Sequence, residues 1–265
     1  MFQTESLTCN CLKMNTKNQL YNYILEIADD SLILGQRLSE WCGHGPILEE
    51  DIALTNIALD FIGQANNLFE YASTLSEKEI TPDQLAFLRV DNDFKNALLV
   101  EQPNRDFAFT LARQFYFDAF RKLFFEKLVN SKDEQLSAIA EKSLKETKYH
   151  LKHSSEWIIR LGDGTEESHS RIQTAIDFLW KYTNELFEEN QAYAEILDLE
   201  LGISVSEIKS SWLEYVHTIL KEATLKIPTS TFFQTGGRKG IHTEHLGYLL
   251  AEMQFMQRTY PNSTW

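Results

Sequence analysis

Apolar residues recur along this chain at steps of three and four, and hardly anywhere at steps of two. Between Leu20 and Cys42 the set Tyr23, Ile24, Ile27, Ala28, Ile33, Leu34, Leu38 and Trp41 follows helical spacing. Gly43, Gly45 and Pro46 then stop the helix and turn the chain. A second helix is predicted over 47–73, where Ile52, Leu54, Ile57, Ala58, Phe61, Ile62, Ala65, Leu68 and Phe69 make it apolar around most of its girth. Such a helix is expected to be covered on several sides. Residues 74–104 are mixed, with a helix start at Thr81-Pro82-Asp83 and a break at Gln102-Pro103-Asn104. A third long helix, 106–129, holds Phe107, Phe109, Phe115, Tyr116, Phe117, Phe120, Phe124 and Phe125, an aromatic load that reads as core. The short turn at 130–132 makes it the antiparallel neighbour of a fourth helix, 134–161, which ends at Gly162-Asp163-Gly164. Further helices are expected over 166–189, 191–199, 205–225 and 242–259. The whole pattern predicts an all-α protein.

Composition narrows what such a protein does. With 43% hydrophobic and 24% charged residues it reads as a soluble globular chain, and no apolar run approaches a membrane span. A net charge of −14 argues against nucleic acid or an anionic membrane as partner, and permits docking to a basic protein surface. Three cysteines make no disulfide framework, and no secretory signal opens the chain, so a cytoplasmic location is expected. Residues 1–17 are polar and aperiodic and read as a dispensable or disordered extension, with 18–265 forming one helical domain. Cys9-x-Cys11 within that extension is a weak metal candidate, since it lacks a second pair.

The chemistry concentrates on the fourth helix. Glu146, His150, His153 and Trp157 share one face, and a carboxylate and an imidazole turned toward a core need partners. In a four-helix bundle the partners are a metal pair or a polar network. Di-iron bundles use two glutamates and two Glu-x-x-His motifs from central helices. Here Glu146 has Tyr149 at i+3, and His150 comes one residue late. The neighbouring helices offer Asn56, Asp60 and Gln64 in one row and Gln114 and Asp118 a turn apart, with Arg113 able to neutralise a carboxylate. Amides are good hydrogen-bond partners and poor iron ligands. The set Asp60, Gln64, Gln114, Asp118, Glu146 and His150 therefore reads as a polar network at the bundle centre rather than a cation cage. Two true Glu-x-x-His strings, Glu166…His169 and Glu214…His217, lie elsewhere and are expected at chance frequency in an acidic chain. Gly236, Gly237, Arg238, Lys239 and Gly240, just before a helix start, form the one anion-cradle candidate, a basic loop suited to docking or to a phosphate.

Four long motifs carry a resemblance: 34–65, LVEQPNRDFAFTLARQF at 99–115, KETKYHLKHSSEWIIRLGDGT at 145–165 and TGGRKGIHTEHLGYLLAEMQFMQR at 235–258. In order and with few gaps from about residue 18 onward, they resemble the C-type subunits of phenylacetyl-CoA 1,2-epoxidase, also called phenylacetate-CoA oxygenase. The resemblance implies a ferritin-like up-down bundle with additional C-terminal helices. It implies a structural, non-catalytic subunit with no cofactor of its own, paired with an A-type subunit whose di-iron centre epoxidises phenylacetyl-CoA with electrons relayed from NADPH by a reductase. A homodimer of the isolated chain is a further expectation, as is possible contact of the 236–240 loop with the CoA phosphates. The competing reading is a self-sufficient di-iron oxidase or iron-binding bundle.

Overall fold

The fold is seen in a computed structural model that describes residues 2–261 and Ser263, with side chains from Met14 onward. Cys9 and Cys11, and most of the N-terminal extension, therefore lie outside the described side chains. All regular structure among the described residues is helical. The long helices are α1 (Phe2–Ser39), α2 (Leu48–Leu75), α4 (Phe107–Leu128) and α5 (Glu134–Gly162), with the short α3 (Pro82–Phe87) between the pairs. α6 (Glu166–Trp180), α7 (Ala194–Asp198), α8 (Lys209–Glu222), α9 (Glu244–Met253) and α10 (Phe255–Thr259) follow.

Side-chain contacts fix the directions. Tyr23 meets Phe124 near one end of the bundle and Trp41 donates to Thr110 near the other, so α1 and α4 run antiparallel. Glu50 meets His153 and Tyr71 meets Asp133, so α2 and α5 run antiparallel as well. With each hairpin antiparallel, α2 and α4 point the same way, and the stretch 76–106 is the long crossover between them. One long crossover is the ferritin-like arrangement.

Local chemistry sets the boundaries. The amides of Gly43 and Gly45 donate to the Asp51 carboxylate, which these bonds hold below its ordinary pKa, and this ties the turn to the first turn of α2. Asp106 caps α4 and Asp133 caps α5, each accepting at 2.8 Å from the amide three residues on. α4 is the central rod: every residue from Ala108 to Arg121 is buried. The predicted helix over 166–189 stops at Trp180 instead. Thr183 turns its hydroxyl back on the Trp180 carbonyl, Gln234 donates to the Lys181 carbonyl, and the chain bends so that Phe187 packs on Phe120 and Trp212. The predicted helix over 242–259 is likewise split at Gln254, whose side chain donates to the carbonyls of Ala86 and Arg89.

Within this chain α2 packs against α1, α3 and α5. Its inner side, from Leu54 to Ala72, is buried, but Leu48, Ile52, Leu59 and Ile62 stand in solvent. Ile62, the least exposed of the four, still borders Gly35 of α1.

Candidate functional site

The polar residues at the bundle centre meet as pairs across helices. Gln64 on α2 donates to Glu146 on α5 at 3.0 Å. His150 Nε2 lies 2.9 Å from the Asp60 carboxylate, and its ring packs on Phe61. On α4, Gln114 donates to Asp118 at 2.6 Å, and Ser154 of α5 donates to the other carboxylate oxygen at 2.8 Å. One turn along α5, His153 Nε2 meets Glu50 of α2 at 2.8 Å. Asn56, grouped with Asp60 and Gln64 by its spacing, is exposed. Ser154 and Glu50 escaped the sequence reading, Ser154 because a serine in a helix carries no signal of its partner.

Asp118, Gln114 and His150 are fully buried. Burial raises the Asp118 carboxyl to about 7, against the lowering effects of His150, Ser154 and Gln114. Gln64 Oε1, Gln114 Oε1 and His150 Nδ1 have no partner among the described residues. Two amide oxygens and one imidazole nitrogen are a donor set far from the carboxylate-rich cage that two irons require. Among the described residues no group of three or more His, Cys, Asp and Glu converges to hold a metal. The Glu-x-x-His strings do not supply one: Glu166 and Glu214 are exposed, and His169 Nδ1 contacts the Gly162 carbonyl at the end of α5. Arg113 does not neutralise a carboxylate here. Its guanidinium donates to the Gln102 carbonyl and to Asn104 Oδ1.

Glu146→Ala is expected to leave the Gln64 amide, itself 2% exposed, without its acceptor. The loss should be about 1–3 kcal/mol, at the lower end because Glu146 is half-buried. Thermal unfolding should show a melting temperature lower by a few degrees; an unchanged one would mean that the pair does not hold α2 to α5.

The loop 236–240 does enclose an anion, but one from the same chain. Glu185 accepts from the amides of Gly236 (2.7 Å) and Arg238 (3.4 Å), and from Leu98 on its other oxygen at 2.7 Å. The Arg238 guanidinium turns inward and forms a two-point pair with Asp30 at 2.9 and 3.0 Å, and it also donates to the Lys95 carbonyl. Burial opposes its charge, yet Asp30, Glu26 and Glu185 hold it above its ordinary pKa. The glycines serve close packing: a Cβ on Gly237 would stand 2.2 Å from the Asn96 carbonyl, and Gly240 has φ +74°. Of the loop's two cations, Lys239 is exposed and Arg238 is committed to the interior. Beyond the loop, Glu101 accepts from the Thr243 amide and hydroxyl at 2.7 Å each and meets His242 at 2.7 Å. Burial works against the His242 charge, but Glu101, the Phe94 carbonyl and Glu185 together raise its pKa.

The model of the family described as phenylacetic acid catabolic protein matches residues 10–265. The chain belongs to that family. Within it, the chain is similar to a protein of Escherichia coli (strain K12) whose name makes it the C-type subunit of 1,2-phenylacetyl-CoA epoxidase. The two are 46% identical over 248 residues, which is 94% of this chain and 100% of the relative. No helix among the described residues is long and apolar enough to cross a membrane.

Proposed function

We propose that this chain is the structural, non-catalytic subunit of a phenylacetyl-CoA epoxidase. In this reading it works in the cytoplasm as a helical scaffold for an A-type oxygenase subunit that carries the di-iron centre and receives electrons from NADPH through a reductase. The observation that carries the reading is the chemistry of the bundle centre. Glu146, Asp60 and Asp118 are each engaged by Gln64, His150 or Ser154, so the residues that span the helices are spent on joining them. Likeness to an epoxidase subunit over that relative's full length supports the same reading. The alternative, a self-sufficient di-iron oxidase, asks for carboxylates where Gln64 and Gln114 stand.

The test is co-expression with the A-type subunit under iron-replete conditions. The two chains should purify together, with iron following the A-type subunit. The isolated chain should hold well below one iron. Two irons bound by this chain alone would overturn the scaffold reading.

A further inference from the structure

His242 is placed so that both of its ring nitrogens must donate. The side chain, 4% exposed, sits between the 236–240 loop and the start of α9. Nε2 lies 3.0 Å from the Phe94 carbonyl, and Nδ1 lies 2.7 Å from a Glu101 carboxylate oxygen. A carbonyl oxygen only accepts, so Nε2 carries a hydrogen. Glu101 already accepts from the Asn96 side chain at 2.9 Å and from the Thr243 amide and hydroxyl. Three such donors favour the ionised carboxylate, so Nδ1 carries a hydrogen as well. A ring that donates from both nitrogens is an imidazolium.

The other charged groups nearby leave that proton in place. Glu185, from the stretch after α6, adds a second anion to the ring's surroundings. In the loop, Arg238 is engaged by Asp30. On α1, Arg37 donates to Glu40 and to the carbonyls of Glu101 and His245. In the crossover, the Lys95 ammonium donates to the Asn92 carbonyl. On α9 itself, Glu244 is exposed and His245 is half-buried.

The His242–Glu101–Thr243 contact fixes the first turn of α9 against the crossover, since Thr243 is the residue that precedes the helix. Beyond it the C-terminal arm is thinly held. α9 buries Leu246, Leu249 and Leu250, and α10 buries none of its described residues. The other ties are bonds to backbone carbonyls: Arg37 to His245, Gln254 to Ala86 and Arg89, and Arg258 to Leu88 and Arg89. A segment with so little buried apolar surface opens more easily than the core it rests on.

We propose that protonated His242 is a latch that fastens α9 and α10 to the crossover, and that its deprotonation frees this C-terminal arm while the helical bundle stays folded. Loss of either hydrogen turns a lone pair against an acceptor in a site with little water, so attraction becomes repulsion. A histidine in an unfolded chain titrates near ~6.5, and the surroundings hold His242 above that. The latch is therefore fully closed below about pH 6.5 and opens as the pH rises through the ring's own titration in the folded chain.

The test follows the ring and the arm in the full-length chain. Nitrogen NMR of the assigned His242 ring gives its titration. Hydrogen exchange of peptides from 244–259, corrected for the intrinsic pH dependence of exchange, gives the opening of the arm, and peptides from α4 give that of the bundle. Between about pH 6 and pH 9, protection over 244–259 should fall at least about tenfold along the same curve as the ring, with α4 level. His242→Gln, which carries no charge, should show the low arm protection at every pH. The unmodified chain carries the test alone should that variant misfold. A ring already neutral at pH 6, a ring that keeps its proton through pH 9, or an arm that ignores the ring's titration each overturns the inference. So does equal loss of protection in the arm and in α4, or full arm protection in a folded His242→Gln chain.

Discussion

Arg238→Ala is expected to be among the most damaging single changes in the chain, although the residue sits in a glycine-rich loop. Its guanidinium makes both bonds to Asp30, a carboxylate only 1% exposed, and also tethers the Lys95 carbonyl. Removing it strands Asp30, which among the described residues then keeps only the Ala97 amide as a donor. Breaking a buried pair from one side costs about 3–5 kcal/mol, because the remaining charge stays desolvated. For a chain of this size that is a fall in melting temperature on the order of 10 °C. Lys239→Ala, next door and exposed, should cost almost nothing. Arg238→Lys should fall between, since an ammonium cannot form the two-point contact. Urea unfolding of the three variants measures this directly. Equal midpoints for Arg238→Ala and Lys239→Ala would mean that the pair contributes no stability.

That comparison also separates what the sequence discloses from what it hides. The long helices are legible because each has an apolar face at helical spacing, bounded by Gly43, Gly45 and Pro46 or by Gly162 and Gly164. The end of α6 at Trp180 is not legible, because apolar residues continue through Tyr182, Leu186 and Phe187. Only the approach of Gln234 and the backward bond of Thr183 show that the chain has turned. Arg238 and Lys239 look alike in sequence, two cations among glycines, and no local rule tells which faces inward. The available signal lay far away, in Asp29-Asp30 at the middle of an apolar run. Two adjacent acids there demand buried partners, and they find them in Arg89 and Arg238. The central polar residues could be named because Glu146 and His150 share a face with apolar neighbours. Their pairing could not, since it depends on the register between α2, α4 and α5.

Asp118→Asn is expected to stabilise the protein at neutral pH and to remove part of its pH dependence. The wild-type carboxyl titrates at about 7 in the folded chain because burial penalises its charge. In an unfolded chain an aspartate titrates near ~3.9. Between these values the folded state holds a proton that the unfolded state has released. Raising the pH therefore draws the equilibrium toward the unfolded chain. The contribution of this group to stability is full below about pH 4 and is lost as the pH climbs through about 7, a swing of at most ~4 kcal/mol. Asparagine is neutral throughout, so it escapes the penalty. It keeps an oxygen to accept from Ser154, and its amide nitrogen can donate to Gln114 Oε1, which has no partner in the wild type. Unfolding in urea at several values between about pH 4 and pH 8 should show the two proteins alike at the acid end. The variant should lead by about 1–3 kcal/mol at the alkaline end, less than the full swing because the exchanged hydrogen bonds are not equivalent. Parallel profiles across that range would show that Asp118 does not hold its proton into the neutral range, and that the centre of the bundle is charged rather than neutral.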